Sequence, residues 1–343
     1  MVWMTLRVPA GRAASSHQRR SSTPTNPEGK RLMLAHDLLD SLGVKGGKSA
    51  LPSSTSRFAD GTQYRIEISS VEGPSILEAV VDEAERLDVP IHRISQGSGI
   101  HMLTDGEIAE MVAVGRDRDI EVNLFVGPRA GWEGSIQAVS LNGRAVASTL
   151  RGIDQLAHGT EDVMRAVALG IRSVLVADLG HLMILGALRK QGHLPADLVL
   201  KTSVTLPVAN PATARVLIDL GADTINLPVD LTLAMIADIR RNVRVPLDQY
   251  IESPDDLGGV MRYHEVPELV RVAAPIYLKF AVRNAPPIYP VGRHNLESTA
   301  LLARERVRRA RISLDFLARY LPTATCKSGT TPAGNNDEEP TWP

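Results

Sequence analysis

Only one cysteine, Cys326, occurs in the 343 residues, and it stands in a polar stretch near the C-terminus. One thiol cannot build a disulfide framework or a thiolate metal site within a chain. An iron–sulfur cluster is excluded on the same ground. With no disulfide to constrain the compartment, a reducing cytoplasm is the expected location. Charge of one sign is also lacking, since 38 basic residues face 39 acidic ones. Such a balance gives no reason to expect polyanion binding over the whole surface, so nucleic acid is not an expected partner. No run is long and apolar enough to span a bilayer; the best, 174–188, is short and carries Asp178 and His181. Aromatic residues make up only 4% of the chain, but 43% is hydrophobic, enough for one large domain with a sizeable core.

A glycine-rich dinucleotide fingerprint is missing as well, because the first β-rich run is followed by SSVEGPSIL. What is present is a beat. Short β-rich runs occur at 64–71, 91–95, 121–126, 173–178, 198–205, 224–228, 246–251 and 276–283. Each is followed by helical spacing and a turn signal, as in 75–87, 105–118, 160–169, 181–191, 211–220 and 231–242. Eight β-then-α units predict a single (β/α)8 TIM-type barrel over 64–322. Residues 30–63 form a helical segment and linker, in which RLMLAHDLLDSL at 31–42 predicts a helix packed outside the barrel or over its amino-terminal end. The ends, 1–29 and 323–343, are rich in Ser, Thr, Pro, Gly or Asn and read as disordered tails.

Strand parity then sorts the side chains, since one alternating set must meet the surrounding helices and the other the interior. Apolar positions turned outward leave Arg65, Glu67 and Ser69 inside on the first strand, and Arg93 and Ser95 on the second. The same rule turns Asn123 inward, then Lys201, Ser203 and Thr205, then Asn226. On the last two strands it selects Asp248, Tyr250 and Glu252, and Tyr277, Lys279 and Arg283. The fourth, SVLVADLG, is apolar on both faces and leaves the parity of Asp178 open. Barrel interiors are usually aliphatic, so this one is charged beyond the norm. At mid-strand, Arg65, Glu67, Arg93, Asp248 and Lys201 leave two readings open, compensated ion pairs such as Glu67 with Arg93 or a functional role.

Barrel active sites are built at the carboxyl ends of the strands. There Asp178, Glu252, Lys279 and Arg283 are the candidate catalytic groups. Ser69, Ser95, His101, Lys201, Ser203, Asn226, Tyr250 and Arg293 are the candidate substrate-binding groups. Loops bring His101 after Gly97 and Gly99, a long segment with Gly258 and Gly259, and Asn284, Tyr289, Arg293 and His294 to the same rim. Asp105 with Thr104, and Asp255 with Asp256, also fit ordinary helix starts. His101, His181, His264 and His294 have no local ligand spacing such as HExxH, so no metal is predicted and a divalent ion is not excluded.

Four stretches occur in an order that resembles the collagenase-like peptidase family, over about 90–320. They are GSGIHMLTDGE running on to Val126, GIRSVLVADLGHLMIL at 170–185, the segment 201–236 from Lys201 to Ile236, and YLKFAVRNAP at 277–286. The last is similar to the family's Leu-Lys-x-x-x-Arg strand, here Leu278, Lys279 and Arg283. The resemblance implies a barrel and a peptidase-like hydrolase for a small or peptide-like anionic substrate. Two departures follow. The family's His-Gly-Ala-x-Cys-like segment is replaced by Gln249-Tyr250-Ile251-Glu252-Ser253-Pro254, and the cluster-binding cysteines of several members are absent.

Three functions compete. A hydrolase would use Asp178 or Glu252 as general base, with Lys279 and Arg283 holding developing charge. A Schiff-base lyase or aldolase would use Lys201 or Lys279, its pKa lowered by neighbouring cations. A non-catalytic barrel subunit would use its rim or the arginine-rich last helix, 296–321. The partners expected are a small-molecule or peptide substrate and no membrane, with a homo-oligomer left open.

Overall fold

The computed structural model describes residues 35–45, 51–128, 136–140, 147–206 and 208–327. The chain divides into two units, Met1–Ala50 and Leu51–Pro343. The first holds α1 (Ala35–Ser41), the described part of the helix expected over 31–42. Residues 1–29 and 328–343, expected as tails, lie outside the described residues.

In the second unit eight parallel strands close into a barrel in sequence order, β8 pairing back onto β1. They are β1 (Tyr64–Ser69), β2 (Arg93–Ser95), β3 (Glu121–Phe125), β4 (Ser173–Val176), β5 (Val199–Thr202), β6 (Thr224–Asn226), β7 (Leu247–Glu252) and β8 (Ile276–Phe280). The helices between them are α2 (Pro74–Leu87), α3 (Asp105–Asp117), α4 (Ile136–Val139), α5 (Gly152–Ala168), α6 (Leu179–Lys190), α7 (Pro211–Asp219), α8 (Leu233–Asn242) and α9 (Val266–Ala273), and α10 (Leu296–Tyr320) follows β8. This is the (β/α)8 barrel that the rhythm predicts.

Local signals place the helix starts. Thr104 and Glu107 form a capping box on α3, and Asn210 caps α7 ahead of Pro211 in its first turn. Outward strand residues such as Ile66, Ile68, Leu124, Val176, Leu200 and Leu278 are buried beneath the helices in one continuous core. Burial of each such side chain stabilises by about 1.5–3 kcal/mol. Ser173, Leu175 and Ala177 point inward, which resolves the parity of the fourth strand; Leu175 and Ala177 join Phe125 in a separate apolar cluster.

Three expectations of parity fail, each for a local reason. Glu252 does not face the interior. A register shift between Tyr250 and Glu252 pairs Glu252 with outward-facing Phe280, so a bulge flips the end of β7. Arg283 lies beyond the end of β8, where its side chain is 53% exposed and pairs with Asp255. Thr205 sits exposed in the turn after β5, its hydroxyl donating to Ser203 Oγ at 2.9 Å.

The barrel also takes in more chain than 64–322. Phe58 is buried, with its ring 5.3 Å from that of Tyr277, and Ser54 N donates to Arg271 O at 2.8 Å. Residues 323–327 run beside β1 rather than forming a free tail: Cys326 bridges Tyr64, and Gln63 N donates to Thr325 O at 2.8 Å. Backbone donors left open at the start of β1 find acceptors in that segment.

Candidate functional site

Six charged side chains fill the lower and middle interior of the barrel. Lowest is Glu121, which accepts from Ser173 Oγ at 2.6 Å and from Tyr277 Oη at 3.3 Å, with Arg93 Nε 2.8 Å away. The Arg93 guanidinium stacks 3.6 Å from the Tyr277 ring centroid. One level up, Glu67 accepts from Ser95 Oγ at 2.5 Å, from Arg93 at 3.3 Å, from Lys201, and sits 3.1 Å from Lys279 Nζ. Asp248 accepts from Arg93 at 2.7 Å, from Lys201 at 3.0 Å, and from Thr224. Glu67, Asp248 and Glu121 thus balance Arg93, Lys201 and Lys279 one for one. The interior is neutral as a whole.

Balance of charge does not equalise the groups. Burial pushes the Glu67 carboxyl up, but Lys201, Lys279 and Arg93 together hold it well below the ordinary carboxylate range. For Asp248 the outcome is reversed: burial, with the field of Glu67, outweighs Lys201 and Arg93 and raises it. Burial also drives the Lys201 ammonium down to about 8, with Lys279 and Arg93 repelling it further against the pull of Asp248 and Glu67. Arg93 goes well above its usual value because Glu121, Tyr277, Asp248 and Glu67 overcome the cost of burial.

Above this layer the lining changes. Lys279 Nζ lies 4.7 Å from the centroid of the Tyr250 ring, and Ser69 Oγ donates to Phe280 O at 2.7 Å. Ser203 is buried in the turn and accepts from Thr205. Asn226 is fully buried next to Asp248 in the register, and neither atom of its side-chain amide has a hydrogen-bond partner among the described residues. An unmade hydrogen bond on a buried polar group costs about 1–3 kcal/mol. The amide faces the barrel interior with a free donor and a free acceptor.

The structure therefore brings together Ser69, Ser95, Lys201, Asn226, Tyr250 and Lys279 of the candidate residues. It does not bring the rim residues to them. Asp178 is the N-cap of α6, accepting from His181 N at 2.9 Å and Leu150 N at 3.1 Å. Glu252 is buried under α10, accepting from Tyr263 and from Arg283 N at 2.8 Å, with Arg309 Nε at 3.6 Å. His101 and Arg293 are exposed in the short turns Ile100–Met102 and Arg293–Asn295. No group of three or more His, Cys, Asp or Glu side chains is placed to hold a metal ion among the described residues.

Sequence reasoning missed a second cluster at the rim, in which Ser70, Glu72, Ser98 and Arg306 are buried and Tyr289 is partly exposed. Glu72 accepts from Gly97 N at 2.7 Å and Ser98 N at 2.8 Å, and burial raises its pKa against Ser98, Gly97 and Arg306. Arg306 donates to Ser70 O at 3.2 Å, and Tyr289 bonds the hydroxyl of Ser70, which has φ 59°. A Cβ at Gly97 would lie 2.5 Å from Tyr289 Oη, so only glycine admits this approach. Three loops are tied to α10 in this way. The partners are far apart in sequence, and nothing local signals them.

No protein-family model matches the chain, and no curated protein matches it. Similar solved structures exist at low identity. A putative copper homeostasis protein, CutC, from Streptococcus agalactiae is 16% identical with a TM-score of 0.42, covering 63% of this chain and 98% of that one. The structure described as native KDPGal is 11% identical with a TM-score of 0.42, covering 76% and 99%. The U32 peptidase Mk0906 is 18% identical with a TM-score of 0.37, covering 71% and 98%.

Proposed function

We propose that this barrel is a carbonyl-processing lyase of the aldolase type, with Lys201 as the imine-forming amine and Asp248, 3.0 Å from it and with its pKa raised by burial, as the group that carries its proton. The observation behind the reading is one carboxylate, Glu67, held between two amines, Lys201 on one oxygen and Lys279 on the other. An ammonium lowered to about 8 is neutral in roughly a tenth of molecules at pH 7. The neutral amine adds to a carbonyl carbon. The resulting carbinolamine then loses water, the oxygen leaving with a proton returned through Asp248. Lys279, at the level of Tyr250, suits an anionic group on the substrate, and the open amide of Asn226 suits its oxygen or hydroxyl.

The peptidase-like hydrolase has less support. Both of its proposed bases, Asp178 and Glu252, already accept hydrogen bonds on each carboxylate oxygen. Borohydride reduction in the presence of pyruvate, glyoxylate and dihydroxyacetone tests the proposal. A reduced adduct on the peptide containing Lys201, lost in Lys201→Arg, is the expected result. Absence of any adduct, or an adduct that survives Lys201→Arg, contradicts it.

A further inference from the structure

The amino-terminal end of the barrel, opposite the site just described, carries a half-open cavity of about 810 Å3. That lies within the usual range of small-molecule pockets, about 300–1,000 Å3. Its floor is the lowest interior layer, Arg93, Glu121 and Tyr277, and Phe58 and Lys327 form part of its wall. Seven Arg and Lys side chains line it against four carboxylates. Several of these are engaged: Arg65 with Asp60 at 2.9 Å, Arg172 with Asp197 at 3.5 Å, Lys327 with Asp119, and Asp223 with Arg189 outside the cavity. Arg57, Arg116 and Arg244 are exposed and pair with no carboxylate among the described residues, although Arg57 Nη1 donates to Ser54 O at 3.0 Å and Ser56 O at 2.7 Å. Buried Arg65 Nε likewise has no hydrogen-bond partner among the described residues.

A concave wall with surplus cations focuses a positive field. We infer that this cavity is a second binding site, for a small molecule carrying two or more negative charges. Exposed guanidiniums on its wall offer forked donors suited to phosphate or carboxylate oxygens. The floor connects it to the barrel centre. Arg65 donates to Tyr277 Oη at 3.3 Å, Tyr277 donates to Glu121 at 3.3 Å, and Arg93 spans 2.8 Å to Glu121 and 2.7 Å to Asp248, which holds Lys201. A ligand charge at the mouth of that chain acts on ions that continue, contact by contact, to Lys201.

Calorimetry of the full chain at low ionic strength tests the site, with inorganic pyrophosphate in one arm and citrate in the other. Saturable binding is expected, weakened at least about tenfold in Arg116→Gln/Arg244→Gln and unchanged in Arg319→Gln on α10. Binding of pyrophosphate alone assigns a phosphate ligand, binding of citrate alone a polycarboxylate, and binding of both the shared chemistry. If the double variant melts early, the single variants should each weaken binding by about threefold. No saturable binding of either anion, or affinity unaltered by substitution at Arg116 and Arg244, overturns the inference. The readout does not depend on the reaction at Lys201, so the two proposals fail separately.

Discussion

Replacing Glu67 with glutamine removes one charge from the barrel centre while keeping its shape. The amide oxygen still accepts from Ser95, but Lys201, Lys279 and Arg93 lose the carboxylate they share. Taking one partner from a buried ion pair costs about 3–5 kcal/mol, a large share of the 5–15 kcal/mol that typically holds a domain together. The loss depends on pH in a defined direction. Lys201 titrates near 8 in the folded chain against 10.5 when free, so between these values the unfolded chain binds more protons and stability rises with pH. In the variant Lys201 falls further, and its rise begins at lower pH. The gap between the two proteins therefore narrows as pH climbs through 8. Urea unfolding at pH 7 and pH 9.5 measures it, by midpoint and slope. A penalty of about 3–5 kcal/mol at pH 7, smaller by about 1–2 kcal/mol at pH 9.5, is expected. A loss under about 1 kcal/mol at pH 7, or one that is equal at both pH values, refutes the shared-charge reasoning.

Three other predictions concern separate parts of the molecule. Asn226→Leu removes an amide that has no partner among the described residues, so stability should change by less than about 1 kcal/mol or rise; a loss above about 2 kcal/mol in thermal unfolding would show that the amide is structural. His92 is held down to about 4 by burial, between Ile66 N and Lys327 O, so the folded chain refuses a proton that the unfolded chain takes below 6.5. Stability should then fall by about 3 kcal/mol from pH 6.5 to pH 4, and His92→Gln should flatten that part of the curve; an unchanged slope in the variant contradicts the assignment. Glu252→Gln should cost about 1–3 kcal/mol in unfolding while leaving adduct formation at Lys201 within about twofold. A drop in trapping above tenfold with the fold intact would make Glu252 part of the chemistry.

Strand parity made most of the interior readable. Alternation alone turns Glu67, Arg93, Lys201, Asp248 and Lys279 inward, and the Glu67–Arg93 pair is present at 3.3 Å. Period two carries that information as long as a strand stays regular. It failed at Glu252, where a bulge adds a residue that no composition signal marks, and at Arg283 and Thr205, which lie past the last paired residues. Asp178 reads equally well as a rim carboxylate or a helix cap, because both roles need an acid just after a strand. The capping geometry is what the structure adds. The Glu72–Arg306–Tyr289 cluster was out of reach, since its members come from three distant loops and a helix. The cavity at the amino-terminal end was equally hidden, because residues 51–63 and 323–327, read as linker and tail, form part of the fold there.

The charge-balanced barrel interior holds Lys201 as an ammonium that gives up its proton far more readily than an ordinary lysine. Nitrogen-detected NMR of the protein labelled with 15N-lysine, with Lys201→Arg used for assignment, titrates that side chain directly. A midpoint near 8 is the predicted result. A midpoint at or above the ordinary lysine value of about 10.4 would contradict it.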